Sequence, residues 1–83
     1  MSRDIKDIKK DILDQFRAIE GEENDVIPEN WLIEEYLPFL NTFEKRDFEK
    51  AIKQLAAKGF LKYEMKGSVP KLKLTEKGAN LIH

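Results

Sequence analysis

The chain has 83 residues, no cysteine, a single histidine at its last position and a net charge of −1. That length corresponds to one domain spanning residues 1–83, with a small core and modest stability. The composition excludes a disulfide framework and thiolate chemistry, and one histidine cannot build a zinc site. Apolar residues make up 41% of the chain, which argues for a folded domain rather than wholesale disorder. No run approaches the roughly 20 apolar residues of a membrane span. Four of the first seven residues are charged, and the segment lacks the apolar stretch of a signal peptide. The expectation is a soluble, cytoplasmic protein with no membrane partner.

In chain order, Ile5, Ile8, Ile12, Leu13, Phe16 and Ile19 fall on one face at helical spacing and predict helix 1 over 3–20. Ser2 is placed to cap it, Asp4 lies in its first turn, and Gly21 is its stop. Val26-Ile27 reads as a very short strand. Pro28 suits the first turn of helix 2, 29–37, whose inner side is Leu32, Ile33, Tyr36, Leu37 and Leu40, with Trp31 at its edge. Pro38 ends or distorts that helix. Asn41-Thr42 caps helix 3, 43–58, with Phe48, Ile52, Leu55 and Ala56 inward and Gly59 as its stop.

Beyond Gly59 the period changes from helical to alternating. Leu61, Tyr63 and Met65 alternate with Lys62, Glu64 and Lys66, and Leu72 and Leu74 alternate with Lys71 and Lys73. Two such runs around Gly67-Ser68 read as a hairpin. Thr75 caps a last helix, 76–82, that returns Leu81 and Ile82 to the core. The predicted core is Ile12, Phe16, Leu37, Phe48, Ile52, Leu55, Leu61 and Leu74.

Two stretches carry a resemblance. Ala51 to Leu61, AIKQLAAKGFL, resembles the third helix of winged helix-turn-helix domains running into the first wing strand. Leu72 to Gly78, LKLTEKG, resembles the second wing strand turning into the final helix, as in regulators of the MarR and PadR types. The resemblance implies a mostly helical α+β fold: a three-helix core, a two- or three-stranded wing and a short C-terminal helix. It implies double-stranded DNA as partner, read by helix 3 and the wing, in a transcriptional regulator. The chain departs from DNA readers of this kind in its acids, Glu29, Glu34 and Glu35 on helix 2 and Glu44, Asp47 and Glu49 on helix 3.

Charge distribution is consistent with that partner. Residues 1–42 carry five basic and eleven acidic groups, and residues 43–83 carry ten basic and five acidic. A polar molecule with one basic face follows. Projected at 100° per residue, Arg46, Lys50 and Lys53 lie opposite the inward face of helix 3, with Gln54 beside them. With Thr42 and Lys45 nearer the helix start, these are the candidate DNA contacts of helix 3. The competing reading is a solvated face closed by Asp47/Lys50 and Glu49/Lys53 pairs. Lys62, Lys66, Lys71 and Lys73 are the candidate wing contacts, or else charges that protect a sheet edge.

Two other partners fit the sequence. Trp31 is either an exposed anchor or a residue closing the core. Helix 1, read as acidic on its outer face, is a possible homodimer surface. A protein-interaction module or accessory subunit that docks through the acidic face of helices 1 and 2 is therefore the alternative function. Catalysis has no support: Ser2 and Ser68 are far from a histidine, and neither a phosphate loop nor metal-ligand spacing is present. No enzyme activity, cofactor or metal is expected.

Overall fold

The isoleucine stripe builds the first helix, α1, Ile5–Ala18, in a computed structural model that describes residues 3–67 and 69–83, Lys66 by its backbone alone. Ser2 as a cap, Ser68 at the turn and the Lys66 side chain as a wing contact lie outside the described residues. Asp4, expected inside the first turn, is itself the cap of α1: its carboxylate accepts the Asp7 N–H at 2.9 Å, and Asp7 reaches back to the Asp4 N–H. Paired this way, the two side chains satisfy N-terminal donors that the helix leaves open. Ile8, Ile12 and Phe16 are fully buried.

The helix stops one residue earlier than its glycine suggests. Glu20, not Gly21, takes the left-handed conformation, with φ of 52°. Gly21 instead donates its N–H to the Phe16 carbonyl at 2.8 Å. A β-carbon at Gly21 would lie 3.0 Å from that carbonyl oxygen and 3.3 Å from Leu74, so this glycine serves close packing.

The second helical segment, α2, covers residues 29–39. It opens into wide turns at Trp31–Tyr36, where the Leu37 N–H bonds to the Leu32 carbonyl, and tightens at Leu37–Phe39. Pro38 has no N–H to give a regular helix, so the chain winds wide before it and tight around it. The wide turns also shift the helical phase, which corrects the expected inner face. Leu32 and Leu40 are buried, Leu37 is only half-buried and Ile33 is exposed. Trp31 is half-buried and stacks on Tyr36, ring centroids 4.7 Å apart, against the core.

Helix α3, Thr42–Ala57, is capped by Asn41, whose side-chain oxygen accepts the Glu44 N–H at 2.8 Å. Phe48, Ala51, Ile52 and Leu55 face inward, and Ala56 packs half-buried beside them. Gly59, at φ of 81°, turns the chain out of the helix.

Strands β1, Leu61–Lys66, and β2, Val69–Leu74, pair antiparallel with Leu61 opposite Leu74, Tyr63 opposite Leu72 and Met65 opposite Pro70. A single bridge from Val26 to Lys73 joins the outer edge of β2, so the expected third strand is reduced to one residue pair. Helix α4, Glu76–Ile82, returns Ile82 to the core, but Leu81 is exposed. Two neighbours on so short a helix point about 100° apart, and only one meets the core.

The base of the hairpin is locked to the end of α3. Thr75 caps α4 through the Gly78 N–H at 3.0 Å and donates its hydroxyl to the Gly59 carbonyl. A β-carbon on Gly78 would sit 2.0 Å from the Phe60 carbonyl oxygen, so the Thr-Glu-Lys-Gly stretch lets α4 lie directly on the chain leaving α3. The result is an α+β fold: helices around one core, closed on one side by an antiparallel hairpin.

Candidate functional site

Helix α3 shares its outward face between two neighbours. Arg46, Lys50 and Lys53 are exposed on the arc farthest from the core. Among the described residues the ion pairs are Arg3–Asp11 and Arg17–Asp14. The Asp47/Lys50 and Glu49/Lys53 pairs expected for a merely solvated face do not form, so the three cations of the arc remain unpaired. Thr42 is exposed at the first turn of α3, and Lys45 is exposed along its flank.

Gln54 is drawn away from this arc. The Lys9 ammonium on α1 donates to its side-chain oxygen at 2.9 Å, which turns Gln54 toward α1. Glu44 is also removed from the outward face. It is buried at 8% exposure, and its carboxylate accepts the Asn41 N–H at 2.9 Å and the Arg3 N–H at 2.7 Å. These bonds, Asn41 first, hold its pKa below the usual glutamate value. The spacing Asn41-x-x-Glu44 is the sequence signal of this reciprocal cap, and it was readable. An acid that looked hostile to an anionic partner is thus a fastener for the N-terminus.

The rest of that fastener is polar. The Arg3 guanidinium grips Asp11 on α1 through Nε and a terminal nitrogen, and the Tyr36 hydroxyl donates to the same carboxylate at 2.7 Å. The bond to Asp11 raises the Arg3 pKa. Burial first, then the bond to Asp11, pushes the Tyr36 hydroxyl well above its ordinary range. Tyr36 also tilts against Phe48, ring centroids 5.9 Å apart, so the network ties α1, α2 and α3 together. Nothing in the spacing of Arg3, Asp11 and Tyr36 announces this contact.

The wing candidates stand elsewhere. In the strand register Lys62 faces Lys73 and Glu64 faces Lys71 across the hairpin, on the side opposite Leu61, Leu72 and Leu74. Lys62 is exposed, and Lys71 and Lys73 are half-buried. Two like charges directly opposite each other are mildly destabilising unless an anion lies nearby. The other face of the hairpin tip looks onto α3 across a half-open cleft of about 490 Å³, with Phe48, Ile52, Tyr63, Met65 and Pro70 in its walls and Lys45, Glu49 and Lys53 also lining it. The helix candidates and the wing candidates therefore flank the hairpin on opposite faces.

The charge division is sharper than halves of the chain suggest. Between Ala18 and Glu44 there are seven acids and no basic residue. The outer face of α1, expected to be acidic, is mixed. Lys6, Lys10 and Arg17 meet Lys58 of the α3 terminus around Leu13 and Phe60 in a shallow depression. Phe39 and Phe43, on either side of the turn between α2 and α3, are 78% and 73% exposed. Among the described residues no helix is long and apolar enough to cross a membrane. Compared with protein-family models, curated proteins and solved structures, the chain matches none.

Proposed function

We propose that the chain is a winged helix-turn-helix module that binds double-stranded DNA, with α3 as its recognition helix and the β1–β2 hairpin as its wing, and that it acts as a transcriptional regulator. The element order supports this reading: helix, one bridging residue, helix, helix, hairpin. The observation that carries it is the unpaired arc of Arg46, Lys50 and Lys53. An exposed row of cations without carboxylate partners is the electrostatic footprint a phosphate backbone requires, and arginine adds guanine readout. Lys62, Lys71 and Lys73 hold phosphate from the wing. The acid-rich segment 20–35 faces away from the duplex, because a duplex repels it.

The test is fluorescence anisotropy with random duplex over a salt series. Affinity should fall steeply with salt, each neutralised phosphate adding about −0.9 to the slope of log K against log salt. Arg46→Ala and Lys50→Ala should weaken binding, and Lys6→Ala on α1 should not. Lys6 is the control rather than Lys9, because Lys9 is bonded to Gln54 of α3. Equal weakening by Lys6→Ala would move the interface to the α1 depression. No binding at low salt would favour a second reading, a protein-docking module. The exposure of Phe39 and Phe43 beside the acidic segment supports that reading, since aromatic residues are enriched at protein interfaces.

A further inference from the structure

Strand β1 has one free edge, and its geometry is determined by the other side of the sheet. The Ile27 N–H donates to the Leu72 carbonyl at 3.0 Å, and the Leu74 N–H donates to the Asp25 carbonyl at 2.8 Å. Leu72 and Leu74 thus turn their backbone groups away from β1. In an antiparallel ladder, residues directly opposite share this sense, so Tyr63 and Leu61 turn theirs away from β2. Met65, two residues on, does the same. Among the described residues no backbone group of Tyr63 or Met65 has a partner on this edge. Their side chains are 38% and 49% exposed and border the cleft beside α3. An unpaired edge with large, half-exposed apolar side chains is a template for another strand.

We infer that this edge pairs with the same edge of a second copy of the chain, antiparallel, about a two-fold axis through Tyr63. The charges on the outer face select both partner and register. Centred on Tyr63, Lys62 of each copy lies opposite Glu64 of the other, and Leu61 lies opposite Met65. Centred on Glu64, two glutamates meet at the axis. Centred on Met65, Lys62 falls opposite a residue beyond the strand. Only the first register uses the length of β1 and matches opposite charges twice. The joined sheet has four strands, and Tyr63 and Met65 of both copies cover one another on the cleft face. Helix α1, the dimer surface expected from sequence, spends its apolar stripe on its own core: Ile8, Ile12 and Phe16 have no exposed surface. The pairing does not rest on the DNA-binding reading: it uses the wing candidate Lys62 only as the partner of Glu64, and it involves neither Arg46 nor Lys50.

Sedimentation equilibrium of the full chain, from micromolar to millimolar concentration, tests the pairing. The wild type should pass from monomer to dimer. Lys62→Glu and Glu64→Lys should each raise the dissociation constant by at least about tenfold, because each places like charges face to face. The double variant Lys62→Glu/Glu64→Lys should restore association, which a general loss of folding would not. Neither position is in the core, and far-UV circular dichroism checks that each variant keeps its fold. Amide exchange at Tyr63 and Met65 should slow with concentration in the wild type. A chain monomeric over the whole range overturns the inference, as does a dimer indifferent to both charge reversals.

Discussion

The two ends of the hairpin use the same alternation of apolar residues and lysines to different ends. At the base, Leu61, Leu72 and Leu74 have essentially no exposed surface, and Thr75, Gly78 and Gly59 clamp the strand ends to the helices on either side. At the tip, Tyr63 and Met65 occupy the equivalent inner positions and remain half open, because α3 diverges and leaves a cleft. Alternation decides which face a side chain takes. Burial depends on what stands opposite: on β2 Leu72 and Pro70 are buried, while Tyr63 and Met65, paired with them on β1, border the cleft. The base belongs to the fold, and Tyr63 and Met65 stay surface in the single chain.

The sharpest way to break this contrast is at Gly78. Gly78→Ala should cost upwards of about 3 kcal/mol, beyond the usual range for one added methyl, because the β-carbon meets backbone and backbone must move. A domain of this size has roughly 4–12 kcal/mol in total. Urea denaturation should find the variant largely unfolded or its midpoint far lower; a midpoint like the wild type's would mean that α4 does not lie against Phe60.

Truncation of facing apolar residues separates base from tip. Leu72→Ala, at a position with no exposed surface, should cost roughly 2–5 kcal/mol. Met65→Ala, half exposed, should change monomer stability by less than about 1 kcal/mol. Thermal melts at low concentration, where the chain is monomeric, give the comparison. Equal losses would show the tip to be as much a part of the core as the base.

Much of this architecture was legible. Helices α1, α3 and α4 lie within two residues of their predicted bounds, because each has an apolar stripe and a capping residue that act locally. The hairpin followed from its change of period. What escaped had non-local causes. Ile33 and Leu37 were misplaced because Pro38 imposes wide turns, and a fixed 100° step loses phase there. Leu81 was misplaced because two adjacent apolar residues on α4 compete for one contact. In the candidate site, Arg46, Lys50 and Lys53 were read correctly as one exposed arc. Gln54, read as lying beside that arc, is exposed, but its bond to Lys9 was not legible, because Lys9 lies 45 positions away in sequence. The free edge of β1 follows from a bridge between Val26 and Lys73, and no local pattern encodes which edge that bridge covers.

A smaller effect distinguishes the closed flank of α3 from the open one. Tyr36→Phe removes the hydroxyl that donates to Asp11 and should cost about 0.5–1.5 kcal/mol at neutral pH. The sign with pH is fixed by the raised pKa of Tyr36. Its contribution is fully present below the unfolded tyrosine value of about 10 and is lost as pH climbs beyond it, since the unfolded chain ionises first. Alkaline destabilisation should therefore be shallower in Tyr36→Phe, measured by midpoint against pH.

The smallest expected effect is at Glu44 and has the opposite sign. Its folded pKa lies below the unfolded value, so its contribution is present above about pH 4.5 and lost as pH falls through the folded value. Glu44→Gln keeps one acceptor oxygen where the carboxylate has two, and those two serve the N–H groups of Asn41 and Arg3. At neutral pH the variant should melt a few degrees lower than the wild type. In acid the wild-type carboxyl is protonated, its charge-assisted bonds weaken, and the gap between the two melting curves should close. A gap that stays constant through the acid range would mean that Glu44 is not a charged fastener, and that Arg3 is held by Asp11 of α1 alone.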